Sequence, residues 1–292
     1  MLKIKSYFKL LRAFSFLVSI FPIIAIAIFM LSRDYDIGYL FLILEVLFVL
    51  FLHIAVNVRN DQVDYVRNID TLKSFGSSGV LTNKLLKLKE VKIIADVCFI
   101  SAIILGLLIL YYSGSVLILL LLLFSFLGAY FYTHNSFGYK YFVLGEVFVF
   151  TLLGPILAVA TGLLLTEIFE IGTVYLGVLF GLPTAAILLG NNLRDINTDR
   201  ESKIITLPIL IGANYAKRLY VFLLFTPYLI LLISIYLNIF SWVSSLAFLS
   251  IPFAVYLLRF IYNHKDLKCI DIQTAKFHFI FLLLLVISFL LS

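Results

Sequence analysis

Long uninterrupted apolar runs alternate along the chain with shorter polar connections. The runs cover residues 14–31, 38–56, 91–111, 115–132, 143–165, 174–189, 219–237, 242–261 and 275–291. A bilayer-spanning helix needs roughly 20 mostly apolar residues, and these stretches are continuous rather than alternating with period two, so they do not read as strands of a membrane barrel. Within hydrocarbon every backbone N–H and C=O must be satisfied inside the segment, which leaves the helix. The pattern predicts an all-α integral membrane protein of nine transmembrane helices, folded as one domain over residues 1–292.

Composition sharpens this. With 63% hydrophobic and 13% charged residues and a mean hydropathy of +1.13, a water-soluble globule is excluded. The basic start and apolar run at the N-terminus resemble a signal peptide in outline. That run lacks a small-x-small cleavage site and holds Pro22, however, so a retained first span is expected. Cys98 and Cys269 are too few and too far apart for a disulfide framework or a cysteine metal site. The net charge of +6 comes with no visible nucleic-acid module. It is read as topogenic charge and attraction to anionic lipid.

Of the 22 Lys and Arg residues, all but Arg33 precede the first run or lie in or flank alternate connections, including seven from residue 59 to residue 92. Positive loops stay in the cytoplasm, which places the N-terminus inside and the C-terminus on the opposite side. The cytoplasmic connections after runs two and six, 57–90 and 190–218, are also the long polar ones. Function is therefore expected at the cytoplasmic face. Their separation by four runs suggests a weak internal repeat.

Each of these two loops opens on an aspartate-rich motif. The first contains Asn57, Asn60, Asp61, Asp64 and Asp70; the second contains Asn191, Asn192, Arg194, Asp195 and Asp199. At helical spacing Asn57, Asp61 and Asp64 share one face, as do Asn191, Asp195 and Asp199. Like charges so placed repel, more strongly where a helix end leaves a low-dielectric bilayer. Solvated helix-end charges would explain one such motif. Two motifs after corresponding spans point instead to a hard divalent cation held by carboxylate and amide oxygens, and to a diphosphate clamped between them.

The paired motifs resemble the signatures of the UbiA superfamily of intramembrane prenyltransferases, in its MenA-like branch of 1,4-dihydroxy-2-naphthoate polyprenyltransferases. The likeness extends to Arg12-Ala-Phe-Ser-Phe, Gly76-Ser-Ser-Gly79, Tyr132-Thr133, Gly138-Tyr139-Lys140 and Leu144-Gly145-Glu146. It departs at Lys203-Ile204-Ile205-Thr206-Leu207, where family members commonly read Gly-Lys-x-Thr-Leu, and at Ala13, where proline is frequent.

The resemblance implies Mg²⁺-dependent transfer of a prenyl group from an allylic diphosphate to an aromatic acceptor, 1,4-dihydroxy-2-naphthoate in menaquinone biosynthesis. It assigns Asp61 and Asp64 to one Mg²⁺ and Asp195 and Asp199 to a second, with Asn57, Asn60 and Asn191 completing these shells. Asp70 is expected near the acceptor or behind the metal ligands. Arg12, Lys140, Arg194 and Lys203 are expected at diphosphate oxygens, with Tyr139 and Asn192 among the substrate contacts. His53 reads either as an acceptor contact or, more simply, as a neutral imidazole bonded to a neighbouring helix. Glu146 stands as another acceptor candidate, and Glu45 as either packing or a cavity residue. Another acceptor, terpene cyclisation, or a secondary transporter with midplane charges are the competing readings.

The topology is checked by thiol labelling of single cysteines. Position 75 should label from the cytoplasm and position 114 from the outside; the reverse pattern overturns the orientation.

Overall fold

The computed structural model describes residues 2–70, 76–134, 137–264 and 266–292, with the side chains of Leu2 and Phe14 set aside. Lys73, Phe75 and Lys265 of the charge and labelling analysis lie outside the described residues. The helices run in order as α1 Leu2–Leu11, α2 Phe16–Ser32, α3 Tyr39–Val66, α4 Leu88–Ser113, α5 Val116–Tyr132, α6 Gly145–Thr151 and α7 Leu157–Thr166. They continue as α8 Ile171–Arg194, α9 Ile196–Glu201, α10 Leu207–Ile211, α11 Ala213–Tyr236, α12 Ile251–Asn263 and α13 Ile270–Leu290. Among the described residues no strand forms beyond one isolated bridge between Phe142 and Ile205.

Among the described residues seven helical stretches are long and apolar enough to cross a membrane: α3, α4, Gly145–Thr166, α8, α11, Trp242–Asn263 and α13. The α1–α2 pair, bent by 55°, makes an eighth when taken as one span. All nine predicted runs fall on helical structure, but length alone does not return nine spans, because α2 and α5 have 17 residues each. The amphipathic α1 was not expected as a separate helix. It is set off from α2 by Arg12, which adopts a left-handed conformation (φ 53°).

The surface is that of a membrane protein. Along α4, Ile93, Val97, Ile100, Ile104 and Leu107 are exposed in one stripe, while Ala95, Cys98 and Ala102 are buried on the other side. A helix apolar on both faces needs lipid outside as well as protein inside. Two apolar cores lie within, one built mainly from α8, α11 and α13 and the other from α3 and α4. Helices α2 and α7 contribute to both.

Between α6 and α7 the chain makes a wide π turn over Leu152–Ile156, with Gly154 out of helical conformation (φ −113°, ψ −107°). Pro155 supplies no N–H there, so the helical ladder is already interrupted. The break lets the backbone settle against α8. A Cβ on Gly177 would lie 2.6 Å from the Pro155 Cα, and one on Gly154 would lie 2.6 Å from the Gly177 carbonyl oxygen. Small residues at a membrane-helix crossing permit this approach.

Gly177→Ala should therefore cost about 2 kcal/mol through overpacking against backbone, read as a lowered Tm in detergent. Gly106→Ala, whose Cβ would meet Phe48 at an ordinary 3.4 Å, serves as the control. Equal Tm values for the two variants would refute the tight crossing.

Candidate active site

Helix α3 runs on past its apolar stretch, so the first motif occupies its last turns. That end of a helix carries partial negative charge and disfavours carboxylates, yet Asp61 and Asp64 are both buried there. Each is neutralised by a cation from another element. Asp61 pairs with Arg12 and accepts the Ser78 backbone N–H at 3.2 Å. Asp64 accepts from Lys140 Nζ and from the Tyr141 hydroxyl, both at 2.6 Å. Lys140 also donates to Asn60 Oδ1, which receives the Thr133 hydroxyl at 3.0 Å.

The second motif repeats this logic at the C-terminal end of α8. Arg194, its last residue, grips Asp195 through two hydrogen bonds of 2.9 and 2.7 Å and reaches Asp271 at the start of α13 at 2.6 Å. Asp199 follows on α9. Asn192 donates to Glu146 Oε1 at 2.8 Å, and Asn191 Oδ1 is buried without a partner among the described residues.

The two motifs line one polar cleft of about 150 Å³. Asn60, Asp64 and Asp70 face it from the first side; Asn191, Asn192, Arg194, Asp195 and Asp199 face it from the second, with Arg12 and Lys140 between. The Gly76–Gly79 segment bridges them. Ser78 bonds Asp61, and a Cβ on Gly76 would stand 3.1 Å from Asp195 Oδ2, so only glycine admits this contact without displacing the carboxylate.

Beside the cleft lies an apolar chamber of about 220 Å³, enclosed chiefly by α3, α5 and the broken α6–α7 helix. It follows α3 from Asn57 to Glu45. Tyr132 lines both cavities. Its ring meets Tyr139 edge-on at 5.4 Å, and Tyr139 stacks on Phe148 at 4.2 Å, so the junction is walled by aromatic rings.

Other expected site residues lie outside the lining of the cleft. Asn57 lines the apolar chamber and donates to the Ser15 hydroxyl at 3.3 Å, away from the cleft where a metal shell was expected. Tyr139 likewise lines the chamber. Lys203 is exposed in a left-handed turn (φ 57°), while Ile204 faces the cleft, so the shifted lysine points away from the place where diphosphate contact was expected. Asp61 is sealed behind Arg12 and Ser78. Arg12, Lys140 and Arg194, the expected diphosphate contacts, are paired with aspartates. Tyr141 and Asp271 were missed: the first sat beside the chosen Lys140, whereas nothing local in sequence signals the second.

The profile of the UbiA prenyltransferase family matches residues 19–283. The UbiA prenyltransferase domain-containing protein 1 homolog of Drosophila melanogaster is 29% identical, over 98% of this chain and 80% of its own. The Danio rerio UbiA prenyltransferase domain-containing protein 1 is 30% identical, over 78% of this chain and 68% of its own. Among solved structures, a UbiA homolog from Archaeoglobus fulgidus bound to GPP and Mg²⁺ superposes with a TM-score of 0.67 at 13% identity, covering 97% of this chain and 99% of that one. These relatives carry a different name from the MenA-like branch.

The donor set suits a hard cation. It is all oxygen, it includes an orphaned amide oxygen on Asn191, and it carries excess negative charge. Among the described residues no three acidic, His or Cys side chains form a ready-made metal cluster. Mg²⁺ does not require one, since it takes one or two carboxylates and completes its shell with water and substrate phosphate. Crowding is visible in the titration of the outlying acids. Burial and then the neighbouring Asp64 push Asp70 up to about 6, and burial and then Asp195 push Asp199 up to about 7. Burial and Asp64 likewise raise the Tyr141 phenol.

A cation must compete with these protons. Below about pH 6 both acids are neutral and poor ligands; above about 7 both are ionised. Mg²⁺ affinity should thus rise as pH increases from about 5.5 to 8, with proton release visible by titration calorimetry in buffers of different ionisation enthalpy. An affinity flat across this range would exclude the coupling.

Proposed function

The chain belongs to the UbiA prenyltransferase family, and from that premise we propose that it transfers a polyprenyl group from an allylic prenyl diphosphate to an aromatic acceptor, 1,4-dihydroxy-2-naphthoate on the MenA-like reading, as a single nine-span membrane domain with its active site on the cytoplasmic side. The observation that carries this is the junction at Tyr132 of an acidic, cation-bearing cleft with an apolar chamber. The cleft suits a diphosphate; the chamber suits its hydrocarbon. The archaeal homologue's GPP and Mg²⁺ support the same donor class and the metal.

When the allylic carbon–oxygen bond breaks, negative charge builds on the leaving diphosphate, and groups that meet this charge only in the transition state accelerate the step. Arg12, Lys140 and Arg194 are placed to do so by exchanging an aspartate oxygen for a phosphate oxygen. Mg²⁺, held by Asp61 and Asp64 at one motif and Asp195 and Asp199 at the other, would supply Lewis-acid neutralisation of the same group. Tyr132 and Tyr139 present π faces to the developing allylic cation and exclude water from it. Twelve residues separate Asn57 from Glu45 on α3, a rise of about 18 Å.

Asp61→Asn and Asp195→Asn should each lower prenyl transfer at least about 100-fold while the detergent-solubilised protein still folds, with a Tm lowered by the loss of a buried ion pair. The assay is mass spectrometry of products from geranylgeranyl diphosphate, Mg²⁺ and a panel of aromatic acids. Near-normal transfer by both variants overturns the proposal. A cyclic hydrocarbon formed without acceptor would replace transferase with cyclase.

A further inference from the structure

His53 lies on α3 one turn before Asn57 and lines the chamber close to its junction with the polar cleft. Its Nε2 is 2.9 Å from the Ser15 hydroxyl. That hydroxyl has a single proton and stands 2.8 Å from the Arg12 carbonyl, which can only accept. Asn57 Nδ2 approaches the same oxygen as a donor at 3.3 Å. The Ser15 proton is therefore committed to Arg12, and the bond to His53 must be made by a proton on Nε2. This fixes the neutral Nε2–H tautomer and leaves Nδ1 as a bare acceptor with no partner among the described residues.

Phe16 holds the ring edge-on at 5.7 Å. The positioning runs on through bonded groups to the metal motif, since Arg12, whose carbonyl orients Ser15, is the cation paired with Asp61. An acceptor nitrogen is thus left on a residue that lines the mainly apolar chamber, at the end where the reacting carbon of a prenyl diphosphate would sit. The prenyl chain offers nothing for it to bind. A hydroxyl-bearing ring does.

We propose that His53 is the residue that binds and deprotonates the hydroxyl of a hydroxy-aromatic acceptor, an inference that rests on the transferase reading above. In the step, the allylic C–O bond breaks and its electron pair leaves with the diphosphate. His53 Nδ1 takes the acceptor's hydroxyl proton, and a ring carbon next to the resulting oxyanion supplies the pair for the new C–C bond. The proton on that carbon then moves to the ring oxygen as aromaticity returns, and the imidazolium releases its own proton to water. The sum is one C–C bond formed, one C–O bond broken and one proton released with diphosphate.

The test compares His53→Gln, which keeps a donor toward Ser15 but has no base, with His53→Phe, which keeps the ring against Phe16. Both should lose about 100-fold in transfer to an ordinary phenolic acid, the usual contribution of a general base, while the Kd for the prenyl diphosphate changes less than twofold. An acceptor whose hydroxyl is acidified by ring fluorination, and so already ionised at the assay pH, should narrow the deficit to a few-fold, which a merely structural role for His53 would not do. Unchanged transfer by both variants, or a deficit insensitive to acceptor acidity, overturns the assignment. If the wild-type protein prenylates no hydroxy-aromatic acceptor at all, the transferase reading has failed rather than the role of His53.

Discussion

Buried carboxylates at the negative ends of two helices are the constraint around which the cleft is arranged. Asp61 and Asp64 close α3 and Asp195 caps α8, positions where the helix field opposes them. An isolated buried charge is costly, and one that has lost its partner is costlier than either a complete pair or none. Every element bearing a countercharge is therefore drawn to this end of the bundle. Arg12 comes from the break before α2, Lys140 from the turn before α6, and Arg194 from α8 itself, where it also ties down the start of α13 through Asp271. The geometry that neutralises the acids also concentrates cations where a polyanion can reach them.

The second organising fact is the separation of polar from apolar space. The cleft and the chamber share Tyr132, and the chamber extends along α3 away from the charges. The broken α6–α7 helix supplies much of its wall, with Val149, Leu152, Leu153 and Leu157 all lining it. The glycine-mediated crossing with α8 is what allows that wall to stand where it does, so a packing detail deep in the membrane bears on the shape of the space offered to an isoprenoid. The chamber is not wholly apolar. Glu45 is buried in it, with Oε1 2.8 Å from the Thr161 hydroxyl, and that hydroxyl is itself 2.8 Å from the Leu157 carbonyl.

Much of this was legible in the sequence because two strong periodic signals dominate it. Apolar runs of spanning length placed the helices, and the acidic repeats at the ends of the second and sixth runs marked the residues that face one another across the cleft. What escaped depended on tertiary geometry. Asn57 shares a helical face with Asp61, but α3 passes from cleft to chamber within that single turn, so neighbours on one face serve different compartments. The role of Asp271 follows from α13 packing beside α8, 77 residues away in the chain from Arg194. The break at Gly154 and Pro155 was hidden inside a run that hydropathy reads as uniform, and α2 and α5 fall short of the usual spanning length although their runs were counted with the rest.

The charge inventory of the cleft orders the events that can occur there. Three cations, Arg12, Lys140 and Arg194, pair with Asp61, Asp64, Asp195 and Asp271, and Asp70 and Asp199 also line the cleft, so with all acids ionised the carboxylates are in excess. A diphosphate arriving alone adds more negative charge to a partly buried, low-dielectric space and is repelled by it. With divalent cations accompanying the anion the balance would reverse: the aspartates would hold the metal, and the guanidinium and ammonium groups so released would be available to phosphate. The self-paired cleft is in this sense a set of ion pairs waiting to be exchanged. Such an exchange would relieve the acid–acid repulsion, so a cleft of this charge balance suits a metal-laden diphosphate better than a bare one.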